Sequence, residues 1–151
     1  MSSVVAVRDL GLTDLESLLS LYRHLHPHDD PLPERARVEE IWSAIVRDPS
    51  HLYLGAFVDE SLVSACNAVV VPNLTRGARP YAVIENVVTD PNFRRRGIGS
   101  RVLRALLERC WERRCYKVML MSGVGRAEVH AFYESLGFER NAKQAFVIVA
   151  R

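Results

Sequence analysis

No apolar run in this 151-residue chain approaches the roughly 20 residues that a bilayer span requires, so no membrane role is expected. Charge of one sign is also scarce. The formal balance is only +2, and a nucleic-acid role would need clustered rather than overall charge. Cysteine is sparse: Cys66, Cys110 and Cys115 make neither an even set nor a zinc spacing. They are expected to be reduced thiols in a cytoplasmic protein. Residues 1–11 lack the basic, apolar and small-residue succession of a secretory signal. Internal repeats and low-complexity linkers are missing too. What is present suits one soluble core. Hydrophobic residues make up 48% and charged residues 25%, and the length predicts a single domain over residues 1–151.

The periodicities predict an order of elements. "VVAVR" (4–8) alternates like a short strand. Thr13 and Asp14 offer a helix cap before Leu15, Leu18, Leu19 and Tyr22 at helical spacing. A proline-containing loop over 24–33 precedes a second helix over 34–47, with Val38, Ile41, Trp42 and Ile45 on one face. "HLYLGAFVD" and "SLVSACNAVVV" form a hairpin around Asp59 and Glu60. After a loop over 72–80, "YAVIENVVT" (81–89) is a strand. The longest helix follows over 97–114, then a buried strand over 116–121. A helix over 126–137 can be ended by Gly137, and "QAFVIVA" (144–150) closes the sheet. The strand–helix–strand unit over 81–121 should be a right-handed parallel crossover. With the antiparallel hairpin before it, the class is α/β with α+β character: a central mixed sheet flanked by helices on both faces.

The densest positive charge, "RRRGIG" (94–99), sits at the start of the longest helix. The first amides of a helix lack intrahelical partners, and the helix dipole adds partial positive charge there. Glycines let a phosphate come close to those amides. A pyrophosphate site is therefore expected in place of a merely solvated basic turn. The dinucleotide fingerprint fails, because Val102 stands where a third small residue belongs, and no glycine is followed by the lysine and hydroxyl of a Walker loop.

"VVTDPNFRRRGIGSRVL" (87–103) resembles the acyl-CoA signature of the GNAT superfamily of N-acetyltransferases, with Arg94, Gly97 and Gly99 at its fixed positions. "HAFYESLGF" (130–138) is similar to the second block of that superfamily, although Arg126 stands where the superfamily often has asparagine. "VIENVV" and "CYKVML…FYESLGF" are similar to the glucosamine-6-phosphate N-acetyltransferases. The resemblance implies a GNAT-like fold and transfer of an acetyl group from acetyl-CoA to a primary amine of a small molecule, an amino sugar phosphate among the candidates. It implies direct attack in a ternary complex, without a metal. It places the cofactor against Val87, Val88, Thr89, Arg94, Arg95, Arg96, Gly97, Ile98, Gly99 and Ser100. A homodimer stays open. The alternatives are a protein or peptide N-acetyltransferase and, from another class, a non-catalytic acyl-CoA sensor.

Two side chains are the candidates for proton transfer. Glu85 interrupts the apolar run "VIENVV", and alternation puts Val83, Glu85 and Val87 on one face with Asn86 on the other. A carboxylate there would be partly desolvated, which raises its affinity for a proton. A structural carboxylate near a sheet edge is the plainer alternative. The resemblance places Tyr133 near the thioester sulfur as an acid, where the plainer alternative is a core aromatic beside Phe132. It also implies an oxyanion donor, the backbone amide of Val88 with that of Val87 as second choice. His24, His26, His28, Asp29 and Asp30 could suggest a metal, but a proline-containing loop holds ligands poorly and a polar loop is expected; the resemblance, which places the acceptor site between the first two helices, leaves contact with the acceptor open. Arg76 and Arg79 precede the Glu85 strand and could hold an anionic group of the acceptor, meet a partner subunit, or be solvated.

Overall fold

The computed structural model describes residues 3–151. Its contacts divide the chain into two compact units, Met1–Met119 and Leu120–Arg151. The first contains β1 (Val5–Asp9), α1 (Leu15–Leu25), α2 (Arg35–Arg47), β2 (His51–Val58), β3 (Ser61–Val71), a short helical turn α3 (Thr75–Ala78), β4 (Tyr81–Thr89) and α4 (Ile98–Glu112). A three-residue strand β5 (Val118–Leu120) follows. The second unit holds α5 (Ala127–Ser135).

The sheet runs in the simple order β1-β2-β3-β4-β5. The first four strands are antiparallel in succession. The last pair is parallel: Tyr116 N–H donates to the Pro80 carbonyl at 2.9 Å and Ala82 N–H to the Lys117 carbonyl at 3.1 Å, so partners ascend together along both chains. The sheet is mixed, as the sequence predicts. The hairpin turn is where expected. Asp59 and Glu60 both take positive φ, 46° and 66°, the twist that a two-residue hairpin loop requires.

Alternation along the strands divides the core. Leu15, Leu18 and Leu21 of α1 and Val38 and Trp42 of α2 bury against Phe57, Ala65 and Val88. Ile98, Val102, Leu103, Leu106 and Cys110 of α4 are buried on a helix packed over β2 and β3. Cys66, next to Ala65 and so on the opposite face, lies close enough to Cys110 for the two thiols to interact. Ile41 was expected in the core but is 44% exposed, because the inward stripe of α2 is narrower than its apolar residues suggest.

Both long C-terminal helix ends close in the same way. Arg114 takes φ 62°, its N–H donates to Trp111, and Cys115 N–H reaches the Cys110 carbonyl at 3.1 Å. In α5, Gly137 takes φ 96°, its N–H donates to Glu134, and Phe138 N–H reaches the Tyr133 carbonyl at 3.2 Å. These are Schellman motifs, in which the residue after the left-handed one usually touches the residue five positions back.

One expected element is missing. Residues 144–150 form no strand, and Phe146, Val147, Ile148 and Val149 are 91%, 73%, 98% and 78% exposed. A β-branched run prefers a half-buried pleated surface, and nothing among the described residues supplies that surface.

The chain's N-terminal turn is held by a buried carboxylate. Asp14 is 7% exposed, and its carboxylate accepts two bonds from Arg8, at 2.8 and 2.9 Å, and one from Gly11 N–H at 2.7 Å. These bonds hold its carboxyl below the usual carboxylate range, with the Arg8 hydrogen bond as the largest cause. The contribution to stability is complete above the unfolded-state pKa, roughly 3.9, and is lost as pH falls through the lower folded-state value. Asp14→Asn is therefore expected to lower stability at pH 7 by about 2 kcal/mol and to make acid unfolding less steep. Urea denaturation at pH 7 and at pH 3 checks this; an equal loss at both would show that shape alone matters.

Candidate active site

The site begins with an irregularity in β4. Pairing is regular through Val83–Val69, Ile84–Ala68 and Glu85–Asn67, and it resumes at Val88–Ala65 and Thr89–Ser64. Asn86 and Val87 thus oppose the single residue Cys66, which makes a β-bulge. Asn86 has φ 52°, the one left-handed residue inside a strand among the described residues. Its Nδ2 donates to Oδ1 of Asn67 at 3.1 Å.

The bulge changes which groups share a face. Strict alternation would put Val87 beside Glu85. The extra residue instead brings Val88 round to the side of Glu85, where Val88 joins the α1 cluster. It also changes which amides are spare. Asp90 N–H donates to the Val63 carbonyl at 2.8 Å. Ladder alternation directs the N–H two residues back, that of Val88, toward β3 as well. Asn86 and Val87 are left as the amides without a regular ladder position. The bulge therefore sets the Val87 amide apart from the regular ladder position of Val88.

Glu85 itself is exposed. The expected partial burial of its carboxylate is not found. Next along the chain, Ser64 Oγ donates to the Val88 carbonyl at 3.1 Å and lies 2.8 Å from Thr89 Oγ1. The strand end is thereby tied to β3.

The basic loop follows directly. Asp90 caps a short 3-10 turn (Pro91–Phe93) by accepting from Asn92 N–H at 2.8 Å. Arg94 Nε donates to the Thr89 carbonyl at 3.1 Å, so this arginine ties the loop back to the strand. Arg95 and Gly97 are both left-handed, with φ 60° and 71°. Gly97 is the N-cap of α4, and no side chain caps the helix. The first intrahelical bond is Arg101 N–H to the Gly97 carbonyl, which leaves the amides of Ile98, Gly99 and Ser100 facing the helix mouth. A Cβ on Gly97 would meet nothing within 4 Å. The arginines at 94, 95 and 96 are exposed around this space, with Arg96 stacked 5.2 Å over Phe93. Open amides, a dipole end and three cations fit a pyrophosphate.

The other candidates separate. His24 Nε2 lies 3.8 Å from Asp90, so the end of α1 meets the start of the basic loop. No group of three or more His, Cys, Asp or Glu able to hold a metal occurs among the described residues. Arg76 and Arg79 stack over Tyr116, each 5.9 Å from the ring, and Lys117 lies 5.6 Å from Tyr81 and 5.3 Å from Tyr116. Among the described residues, none of these three cations has an ion-pair partner. All three cysteines are free and buried. Burial pushes each thiol up, that of Cys110 to about 12, which removes the thiolate a covalent route would need.

In the second unit, Tyr133 is the residue whose carbonyl accepts the Phe138 amide in the Schellman motif. Its ring packs edge-on to Phe138, 5.9 Å between centroids, and tilted against Phe132 at 5.3 Å. The spacing Tyr-x-x-x-Gly-Phe is thus the local rule that sets the tyrosine's position on α5. Asn67 was missed from the sequence. Its one signal was a lone carboxamide within the apolar run "SACNAVVV".

A sequence model of the Acetyltransferase (GNAT) family matches residues 15–138, and the chain belongs to that family. Among curated relatives, the chain is 32% identical over 141 residues to a glucosamine 6-phosphate N-acetyltransferase of Trypanosoma brucei brucei, covering 91% of each chain. It is 34% identical over 142 residues to glucosamine 6-phosphate N-acetyltransferase 1 of Oryza sativa subsp. japonica, covering 91% of this chain and 83% of that one. A solved chain from Agrobacterium tumefaciens str. C58 superposes with TM-score 0.90 at 41% identity, over 96% of this chain and 99% of the other.

The helix mouth gives a direct test. Gly97→Val puts a β-branched side chain at a left-handed position beside the open amides. Coenzyme A binding, measured by calorimetry, is expected to weaken more than about tenfold, equivalent to about 1.4 kcal/mol, with the variant still folded. Unchanged affinity in the folded variant would move the pyrophosphate elsewhere.

Proposed function

We propose that this chain is an acetyl-CoA-dependent N-acetyltransferase that acts on the primary amine of a phosphorylated amino sugar by direct transfer. One observation carries the reading: the bulged strand that offers Glu85 and the spare Val87 amide runs within ten residues into the uncapped start of α4. The loop amides and the arginines hold the pyrophosphate, and the acyl arm lies along the end of β4. The thioester oxygen accepts from Val87 N–H, which is already in place as charge develops on that oxygen. Glu85 takes the proton that the ammonium must lose before its nitrogen attacks. The new C–N bond forms, the C–S bond breaks, and Tyr133 is assigned, on the family resemblance, the proton that goes to the departing sulfur. Three buried thiols leave no cysteine nucleophile, which supports a ternary complex over an acyl-enzyme. The same free thiols support a cytoplasmic setting. The family match over residues 15–138 supports reading both units as one catalytic domain.

Arg76, Arg79 and Lys117 support the phosphate. They are cations without carboxylate partners at the end of β4 where Tyr81 stands, four residues before Glu85. At about 3.3 Å per residue that is about 13 Å along the strand, within reach of an arginine side chain and a hexose phosphate together. The relatives named for glucosamine 6-phosphate favour the same class. The exposed run from Phe146 to Val149 supports a homodimer in which a second copy covers it.

Release of free thiol from acetyl-CoA, measured with glucosamine 6-phosphate, glucosamine, an aminoglycoside and a peptide amine, tests the reading. The phosphorylated sugar is expected to give the highest kcat/KM, and Arg76→Ala to raise KM for it while barely changing glucosamine. A preference for the peptide amine would reassign the acceptor, and no turnover with any amine would leave an acyl-CoA sensor. Glu85→Gln is expected to cost about 10²–10⁴-fold near neutral pH, with the loss shrinking at high pH where free amine is abundant. A loss of the same size at every pH would make Glu85 a substrate-positioning group.

A further inference from the structure

Asn67 lies in the middle of β3 and is only 4% exposed. A buried carboxamide is costly unless it is bonded, so its partner is informative. That partner is the side chain of Asn86, the left-handed residue of the β4 bulge, at 3.1 Å. Asn67 also stands directly opposite Glu85 in the ladder, one residue before the register shifts. We infer that Asn67 is a positioning residue: its buried carboxamide clamps Asn86 at φ 52° and so sustains the bulge on which the proposed chemistry depends. This inference rests on the reading of Glu85 and Val87 given above.

Asparagine visits the left-handed region more readily than other non-glycine residues, but that region is still unfavourable for it. Something must hold it there. The Asn67 bond does so from across the ladder, from the residue beside Cys66, which opposes the bulge itself. Without it, β4 can relax toward regular pairing, in which Val87 would take a ladder position and Val88 would leave the α1 side. The spare amide would then be lost, although Glu85 would still be present and exposed.

Glycine provides the discriminating variant, because it adopts positive φ without a clamp. Asn67→Ala is expected to lower kcat with acetyl-CoA and glucosamine 6-phosphate by about a hundredfold, the typical cost of a small misplacement, with KM for acetyl-CoA little changed. The shape of the pH profile should persist, because Glu85 is untouched. Adding Asn86→Gly to Asn67→Ala is expected to restore most of kcat. If Asn67→Ala does not fold, Asn86→Ala breaks the same bond from the half-buried side and should give the same loss. A folded Asn67→Ala or Asn86→Ala enzyme with wild-type kcat would overturn the clamp. So would a folded double variant that regains melting temperature but not kcat. Glu85→Gln, run alongside, separates the two readings. A flat pH dependence of its loss with glycine rescue intact would remove the base and keep the clamp. A normal Glu85→Gln loss without rescue would remove the clamp alone.

Discussion

One surplus residue in β4 organises the site. Two residues, Asn86 and Val87, stand opposite Cys66, and every feature nearby follows from that inequality. Val88 turns to the α1 core and Thr89 to Ser64, which anchors the strand end. Buried Val88 opposes migration of the surplus toward the strand end, and the bond from Asn67 holds it from the other side. Glu85 is the last regularly paired residue before it, and the basic loop starts directly after the strand ends.

The loop and the helix end use backbone conformation in place of side-chain caps. Left-handed Arg95 and Gly97 turn the chain so that α4 opens toward solvent with its first amides unclaimed. Arg94 is spent on the Thr89 carbonyl, which makes it a brace between strand and loop and leaves Arg95 and Arg96 as the mobile charge. The Schellman motif that ends α5 plays a comparable part for Tyr133, whose ring is packed by the phenylalanine that the motif itself delivers. At the end of α4 the same motif joins Cys110 to Cys115 and buries both thiols away from any chemistry.

Much of this was legible in the chain. Strand β4 was read with its observed limits, and the hairpin turn at Asp59 and Glu60 and the helix start at Gly97 were read from local rules that act over a few residues. The bulge was not legible, because an alternating pattern with one extra residue still looks like alternation when the extra residue is a half-buried asparagine. That silence produced the misplaced face of Val87. Asn67 was hidden for the related reason that its role lies across the sheet, not along the sequence. The run at 144–150 was read as a strand from its β-branched composition, yet composition supplies no partner edge, and the segment is exposed.

The central claim is that the register shift leaves the Val87 amide free for the acyl oxygen. NMR of isotope-labelled protein titrated with acetyl-CoA measures this residue by residue. The account predicts that the Val87 amide resonance moves on binding together with those of Ile98, Gly99 and Ser100, while that of Val88, directed into the ladder, stays nearly fixed. A shift at Val88 with none at Val87 would contradict it.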